Sequence, residues 1–231
     1  MPVKDRPVDR HARAISRIIL LTGVVEAPVL SDMLRLHNPA LGIAAVATAA
    51  GLAEACASAT AGTRLLSFCS AVIVPGDRLA ALPGPSYNFH PGPPERPGRY
   101  PSAFALHEGD KRFGITVHEI LASVDSGPIV AAEWFEVPAP SLRPEKDLEA
   151  LDHLTLMHLL ASFRRLAPHL ALKPEPLRRL LIGWQGRKTT KADCDALCTI
   201  TPKMSADEGA RRRSACGPHL LQQIPTNEGG V

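Results

Sequence analysis

Three absences bound the reading before any motif is considered. No apolar run near the start has the length of a secretory or membrane segment: the opening Met1 to Ser16 is charged, and the Ala-rich stretch Leu41 to Ala61 is broken by Gly51, Glu54 and Thr60. Charge of one sign is also missing, since 26 basic and 23 acidic side chains leave a formal +3, so no basic field for gripping a nucleic-acid backbone is expected. Zinc-type spacing is absent as well. The five cysteines include no CxxC pair, and the i, i+4 pair Cys194 and Cys198 has no paired histidines to complete four ligands, so no metal is expected. An odd number of cysteines in mostly apolar contexts reads as reduced thiols, and with them a cytoplasmic protein without membrane partners.

What is present is a core. At 231 residues and 45% hydrophobic, the chain can bury one substantial interior with an appendage. Arg17 to Gly23 is a short, nearly continuous apolar run ending in glycine, as a strand buried on both faces reads. Helical spacing follows from Val29 to Leu36, a second buried strand over Leu41 to Thr48, and an Ala-rich helix over 49–59. Further strands are predicted at Arg64 to Phe68, Ser70 to Val74, Ser86 to His90, Phe113 to His118 and Gly127 to Phe135, with a helix over Ser102 to Glu108. Apolar residues at 148, 151, 154, 156, 159, 160, 163, 166 and 170 predict one long amphipathic helix over Glu145 to Leu172. This alternation predicts an α/β fold: an open, mostly parallel, Rossmann-like sheet with helices on both faces and a short C-terminal appendage. The expected divisions are a flexible arm over 1–16, a catalytic domain over 17–172, an appendage over 173–200 and a disordered tail over 201–231.

The chemistry concentrates in two short segments. Asn88-Phe89-His90 ends a predicted strand, where alternation puts Asn88 and His90 on one face, and Pro91 stops the strand at once. The carboxyl edge of a parallel sheet is where open α/β proteins place ligands. Some thirty-five residues on, Val124-Asp125-Ser126-Gly127 sets a carboxylate in a turn before a buried strand. Each half alone reads as a structural histidine or an ordinary turn. Linked in series by Gly114-Ile115-Thr116-Val117-His118, they form a motif of four ordered elements.

In that order, from about Ile73 to Val130, the motif resembles the catalytic core of the 10-formyltetrahydrofolate-dependent formyltransferases, which act on methionyl-tRNA, glycinamide ribonucleotide or amino sugars. The resemblance implies the formyltransferase fold, and 10-formyltetrahydrofolate as formyl donor. It implies that Asn88 donates to the formyl oxygen, that His90 stabilises charge developing there, and that Asp125 holds His90 and helps take the amine's proton. It places the folate against Phe68, Ile73, Val74 and Pro75 on one loop and Val124 and Gly127 on another. His118 recurs in the pattern, with a structural role as good an account as a catalytic one.

Departures from the family narrow the acceptor. Pro97 stands where many relatives have arginine. The first βα loop, Thr22 to Pro28, lacks the glycine-rich phosphate grip of the glycinamide ribonucleotide enzymes. After the long helix there is no room for a tRNA-binding barrel, so tRNA is not an expected partner. Trp184 in the appendage reads as packing, with Arg187 and Lys188 left open. The expectation is formyl transfer to a primary amine of a small metabolite such as a nucleotide-linked amino sugar, with homodimerisation left open. The alternatives are hydrolysis of the formyl donor and a catalytically silent folate- or amine-binding module.

Overall fold

A computed structural model describes residues 14–223. The predicted arm over 1–16 and tail over 201–231 therefore fall largely or partly outside the described residues. The sheet is mixed, open and six-stranded, with order β2-β1-β3-β4-β5-β6. Its strands are β1 Arg17–Leu21, β2 Gly42–Val46, β3 Thr63–Phe68, β4 Tyr87–His90, β5 Arg112–Glu119 and β6 Ile129–Glu136. The chain divides into two compact units, Met1–Tyr87 with Arg164–Arg178, and Asn88–Phe163 with Arg179–Val231.

In the first unit β1 pairs in parallel with β2 and with β3. The apolar run of β1 is the reason: Ile18, Ile19, Leu20 and Leu21 are all fully buried, as a central parallel strand requires. Helices α1 Glu26–Arg35, α2 Ala49–Ala57 and the short α3 Gly76–Ala80 make the connections. Thr48 caps α2 by accepting from the Gly51 N–H at 3.1 Å. Ser70 to Val74 was expected as a strand and is irregular instead. Cys69 adopts a left-handed φ of 49°, which turns the chain out of β3, and Ser70 Oγ then accepts the Val72 N–H at 3.1 Å.

The long helix α5 is Asp147–Leu172, preceded by a 3₁₀ turn at Pro144–Lys146. Its last carbonyls lie in the first unit, where they need donors. Arg64, only 3% exposed, reaches the Leu170 carbonyl at 2.9 Å and those of His169, Pro174 and Glu175 at 3.3–3.5 Å. Asn38 Nδ2 donates to the Ala171 carbonyl at 3.0 Å. A cation at a helix C-terminus also complements the helix dipole.

In the second unit β5 and β6 run antiparallel, so the sheet is parallel on one side and closes with a reversed edge strand. The register slips between Val117 and His118. Helix α4 Pro101–Glu108, α6 Lys191–Leu197 and α7 Ala206–Leu220 complete the unit. Two expectations are corrected by α6 and α7. Residues 206–220 are helical, with a kink at Gly217, rather than a disordered tail, since Ser205 caps the helix on Glu208 and the arginines find partners: Arg211 and Arg212 meet Glu208, and Arg212 also donates to the carbonyls of residues 196, 197 and 199. The cysteines are not all reduced, for Cys198 and Cys216 form a disulfide that ties α7 to the end of α6, with Cys194 buried beside it as a free thiol. Sequence spacing could not reveal that pair because the partners are brought together only by packing against Ala103, Phe104 and Leu148.

Two stability outcomes follow. Arg64→Met should lower unfolding free energy by about 3 kcal/mol, read as a fall in urea midpoint at unchanged slope, because it strands buried carbonyls. Unchanged stability would mean that water takes over those carbonyls at no cost. Joint Cys198→Ser and Cys216→Ser replacement should cost about 3 kcal/mol, given the 18-residue separation of the pair. A double variant as stable as the parent in non-reducing buffer would show that the disulfide contributes nothing.

Candidate active site

The site is built entirely within the second unit. Strand β4 ends in Asn88 and His90, Pro91 follows, and the chain enters the loop 91–99. Strand β5 brings Thr116 and His118, both buried, toward the same place. The register slip just before His118 is what re-aims that ring, as β-bulges do. Thr116 fastens the loop from below: its hydroxyl donates to the Gly92 carbonyl at 2.8 Å.

Asp125 sits on the turn after β5 with a left-handed φ of 43°, a conformation that aspartate tolerates better than most residues. Gly127, two residues on, is required by space: a Cβ there would run into the backbone carbonyl of Glu119. The Asp-x-Gly spacing thus has a steric cause, a turn pressed against the end of β5. Held this way, the carboxylate gathers three partners. Oδ2 accepts the Gly98 N–H at 2.8 Å and lies 3.5 Å from His90 Nδ1, while Oδ1 lies 3.2 Å from His118 Nε2. Gly98 can offer its N–H because it takes a φ of 103° beside the backbone of Thr189, where only glycine fits.

The structure therefore brings half-buried Asn88 and buried His90 and Asp125 into one cluster and adds His118 as its fourth member. Asn88 Nδ2 is 3.1 Å from His118 Nε2. The His118 Nδ1 faces the Glu119 carbonyl at 2.9 Å, which fixes a proton on Nδ1. Its Nε2 then stands between an amide donor and a carboxylate. Unprotonated, it accepts from Asn88; on taking a proton, it donates to Asp125.

His90 is flanked by two acceptors, the Asp125 carboxylate at Nδ1 and the Arg96 carbonyl at 2.9 Å from Nε2. Burial pushes its pKa down, and that outweighs the upward pull of Asp125 and of the Arg96 carbonyl; His118 adds to the lowering. The ring is accordingly neutral near pH 7, with its Nε2 proton given to Arg96. For Asp125, burial alone would raise the carboxyl, but His90, the hydrogen bond from His118 and the Gly98 N–H bring it down to about 2.

The six residues named from the resemblance as folate contacts fall in two places. Phe68 ends β3, fully buried; Ile73 is 60% exposed, Val74 buried, and Pro75 precedes α3. Phe68 and Val74 therefore have only backbone groups to offer. Val124 and Gly127 flank Asp125 in the second unit, Val124 with an exposed side chain and Gly127 with its carbonyl already accepting from Trp184 Nε1 at 2.9 Å. Trp184 itself, read from sequence as packing, lies edge-on to both imidazoles, with centroids 5.5 Å from His90 and 4.9 Å from His118. A tryptophan in an irregular segment, between Leu180-Leu181-Ile182 and a basic pair, was the sequence sign of it.

The two ionisation shifts give a signed prediction. Below about pH 6.5 the unfolded chain binds a proton at residue 90 more readily than the folded one, so stability falls as pH drops. The Asp125 contribution, roughly 2 kcal/mol, is complete above about pH 4 and is lost as pH falls through its depressed value. Melting temperature against pH should show both losses, and Asp125→Asn should remove the lower one. A D125N profile that still falls between pH 4 and 2 as steeply as the parent's would contradict the assignment.

A family model described as formyl transferase matches residues 45–153. Among curated proteins none matches the chain. Solved structures share its fold across nearly the whole length. One is a sugar N-formyltransferase from a Shewanella species, at TM-score 0.63 and 16% identity over 87% of this chain and 87% of that one. A 4-N formyltransferase from Francisella tularensis gives TM-score 0.65 and 15% identity, covering 88% and 89%. An N-formyltransferase from Helicobacter canadensis, in complex with folinic acid and dTDP-3-aminofucose, gives 0.63 and 14%, covering 92% and 84%. The fold is the formyltransferase fold, and Asn88, His90, His118 and Asp125 all lie within the residues that the formyl transferase model matches.

Proposed function

We propose that this protein transfers a formyl group from 10-formyltetrahydrofolate to a primary amine of a small metabolite, with a nucleotide-linked amino sugar as the acceptor class. The observation that carries the reading is the cluster of Asn88, His90, His118 and Asp125, joined by contacts of 3.1–3.5 Å at the end of β4. When bound, the folate supplies an activated formyl carbon, and the amine that takes up the group must shed a proton.

The chain's own groups match both needs. Asn88 has two amide protons; His118 Nε2 takes one, and the second remains for an oxygen on which negative charge develops. Because His118 also rests on the Glu119 carbonyl, the amide is oriented before any ligand arrives. His90 can add a second donor at the same place once its bond to the Arg96 carbonyl is exchanged. Asp125, ionised at neutral pH, and His118 Nε2 form an acceptor for the amine's proton: on taking it, Nε2 ceases to accept from Asn88 and donates to the carboxylate, and the proton passes on to the folate nitrogen as the bond from that nitrogen to the formyl carbon breaks. The folate contacts implied by the resemblance stay proposals for each unit by itself: Phe68, Ile73, Val74 and Pro75 in the first, Val124 and Gly127 in the second, through backbone groups and exposed apolar side chains.

Support for a small polar acceptor comes from a cavity of 460 Å³ in the second unit. Arg112, Arg187 and Trp134 are among its lining residues, with Arg96 paired to Glu108 and Asp110 and a further carboxylate at Glu95, a charged and aromatic lining that suits a polar, ring-bearing substrate. Arg96 connects it to the site, since its backbone carbonyl is the partner of His90. The relatives crystallised with folate analogues and nucleotide-linked sugars support the same class. The cytoplasmic location and the homodimer belong to this proposal too, the location without the support of reduced thiols, which the Cys198–Cys216 disulfide removes; among the described residues no helix is long and apolar enough to cross a membrane.

The direct test is mass spectrometry of nucleotide-linked amino sugars and other amine metabolites incubated with the protein and the formyl donor. A gain of one formyl group on an amine is the expected result. His90→Gln and Asp125→Asn should each lower kcat by about 10²–10⁴-fold, and Asn88→Ala by about 10²–10³-fold, with the melting curve cooperative in each case. Full activity in either the His90 or the Asp125 variant would defeat the catalytic assignment. Formate released at a comparable rate without any amine would replace transfer by hydrolysis.

A further inference from the structure

The segment 179–190 has almost no regular secondary structure, yet it is fastened along its whole length. Arg179 forms a two-point ion pair with Glu119 at 2.8 and 3.0 Å, and the Leu180 N–H donates to the Ile129 carbonyl at 2.7 Å. Further along, Gln185 N–H meets the Pro94 carbonyl at 2.8 Å, and Lys188 Nζ meets Ser123 Oγ at 3.1 Å. Thr189 then pairs with the loop: its N–H donates to Pro97, its hydroxyl to the Arg99 carbonyl, and its carbonyl accepts the Arg99 N–H.

These fastenings fall on two pieces of backbone, the loop 94–99 and the turn 119–129. They are the pieces that hold the site, because the loop supplies the Arg96 carbonyl to His90 and the Gly98 N–H to Asp125, and the turn carries Asp125 itself. Midway between the fastenings stands Trp184. Its indole N–H is tied to the Gly127 carbonyl, and its ring meets His118 at an interplanar angle of 85° and His90 at 76°. Each imidazole has a polar partner at both nitrogens, for His118 the Glu119 carbonyl with Asn88 and Asp125, and for His90 the Arg96 carbonyl with Asp125 at 3.5 Å, which fix the ring's position along its own plane. An edge-to-face partner fixes the remaining freedom, the tilt of that plane, and excludes water from one side of it.

We propose that Trp184 is a positioning residue for this site: carried across it by the 179–190 strap, it sets the planes of His90 and His118 and keeps solvent from them. The proposal rests on the formyl-transfer reading only for the identity of the reaction. Its physical content, the state of two imidazoles, can be measured without any substrate. The groups facing His90 are Asp125 and His118, with the Arg96 carbonyl. On the strap itself Arg179 is neutralised by Glu119 and Arg187 by Asp193, and Lys188 is bound to Ser123. Replacing the indole leaves these charges in place, so the change at His90 is one of solvation, and restored solvation favours the charged ring.

The experiment uses the full chain with Trp184→Leu and Trp184→Phe. Leucine retains apolar volume but neither the aromatic edge nor the N–H; phenylalanine retains the ring and loses only the bond to Gly127. Nitrogen-15 NMR titration of the histidine rings in the free protein should show His90 titrating at higher pH in W184L, toward the ordinary imidazole value of about 6.5, and close to the parent in W184F. With the amine acceptor in hand, W184L should lose about tenfold to a hundredfold in kcat with the amine KM little changed, and its acid limb should move up in pH. W184F should recover most of the rate. A cooperatively melting W184L whose His90 titration and kcat match the parent's would overturn the proposal, as would equal losses in W184L and W184F with no movement of the titration, since that is how a merely structural strap behaves. Failure to find any formyl acceptor would count against the proposed reaction and leave the NMR result to decide the role of Trp184.

Discussion

The carboxylate of Asp125 is the interaction on which the rest of the site depends. It is a buried charge, and a buried charge is tolerated only where hydrogen bonds and opposite partial charges surround it. Here the partners come from three separate stretches of the second unit: His90 on β4, His118 on β5 and the N–H of Gly98 in the intervening loop. One ion thus holds a strand end, a neighbouring strand and a loop in register. Removing it would leave two imidazoles and an amide facing one another with nothing to arrange them.

That dependence explains why some of the site was legible in the sequence and some was not. Asn88 and His90 could be placed together because strand alternation and the following proline are local rules. Asp125 could be paired with them only through the resemblance, since contact order, not spacing, joins residue 125 to residue 90. The buried strands β1 and β3 were readable for the same local reason, as continuous apolar runs between turns. Ser70 to Val74 has that composition too and still leaves the sheet, because a left-handed Cys69 and the Ser70 hydroxyl give its backbone another way to be satisfied. Composition records what a segment can bury. It does not record whether a neighbour is there to pair with it.

The C-terminal third was the least legible part, and the cause is again long-range. Arg211 and Arg212 look like a solvated run until Glu208 and the carbonyls at the end of α6 are placed beside them. Cys198 and Cys216 look like two more thiols in an odd-numbered set until α4 and α6 bring them into contact. Trp184 sits among exposed or polar neighbours, so its surroundings in the chain suggest a surface residue, while its surroundings in space are two histidines and the Gly127 carbonyl.

The loop between β4 and α4 shows how a departure from the family pattern can be accommodated rather than merely tolerated. Where the formyltransferase pattern that the sequence resembles carries an arginine, this chain has Pro97. What it offers instead is backbone: the carbonyls of residues 94, 96, 97 and 99 and the N–H groups of Gly98 and Arg99 all engage the site or the strap. Proline and glycine suit that use, one by fixing φ and the other by reaching a left-handed conformation closed to side chains. The cationic groups near the cavity then come from Arg96 and Arg112 and, through the strap, from Arg187. Arg96 is already held by Glu108 and Asp110, and Arg187 by Asp193, so both present a charge that is positioned but partly neutralised. Three arginines and the carboxylates of Glu95, Glu108 and Asp110 thus share that lining, so its charges are set against one another rather than presented as one sign.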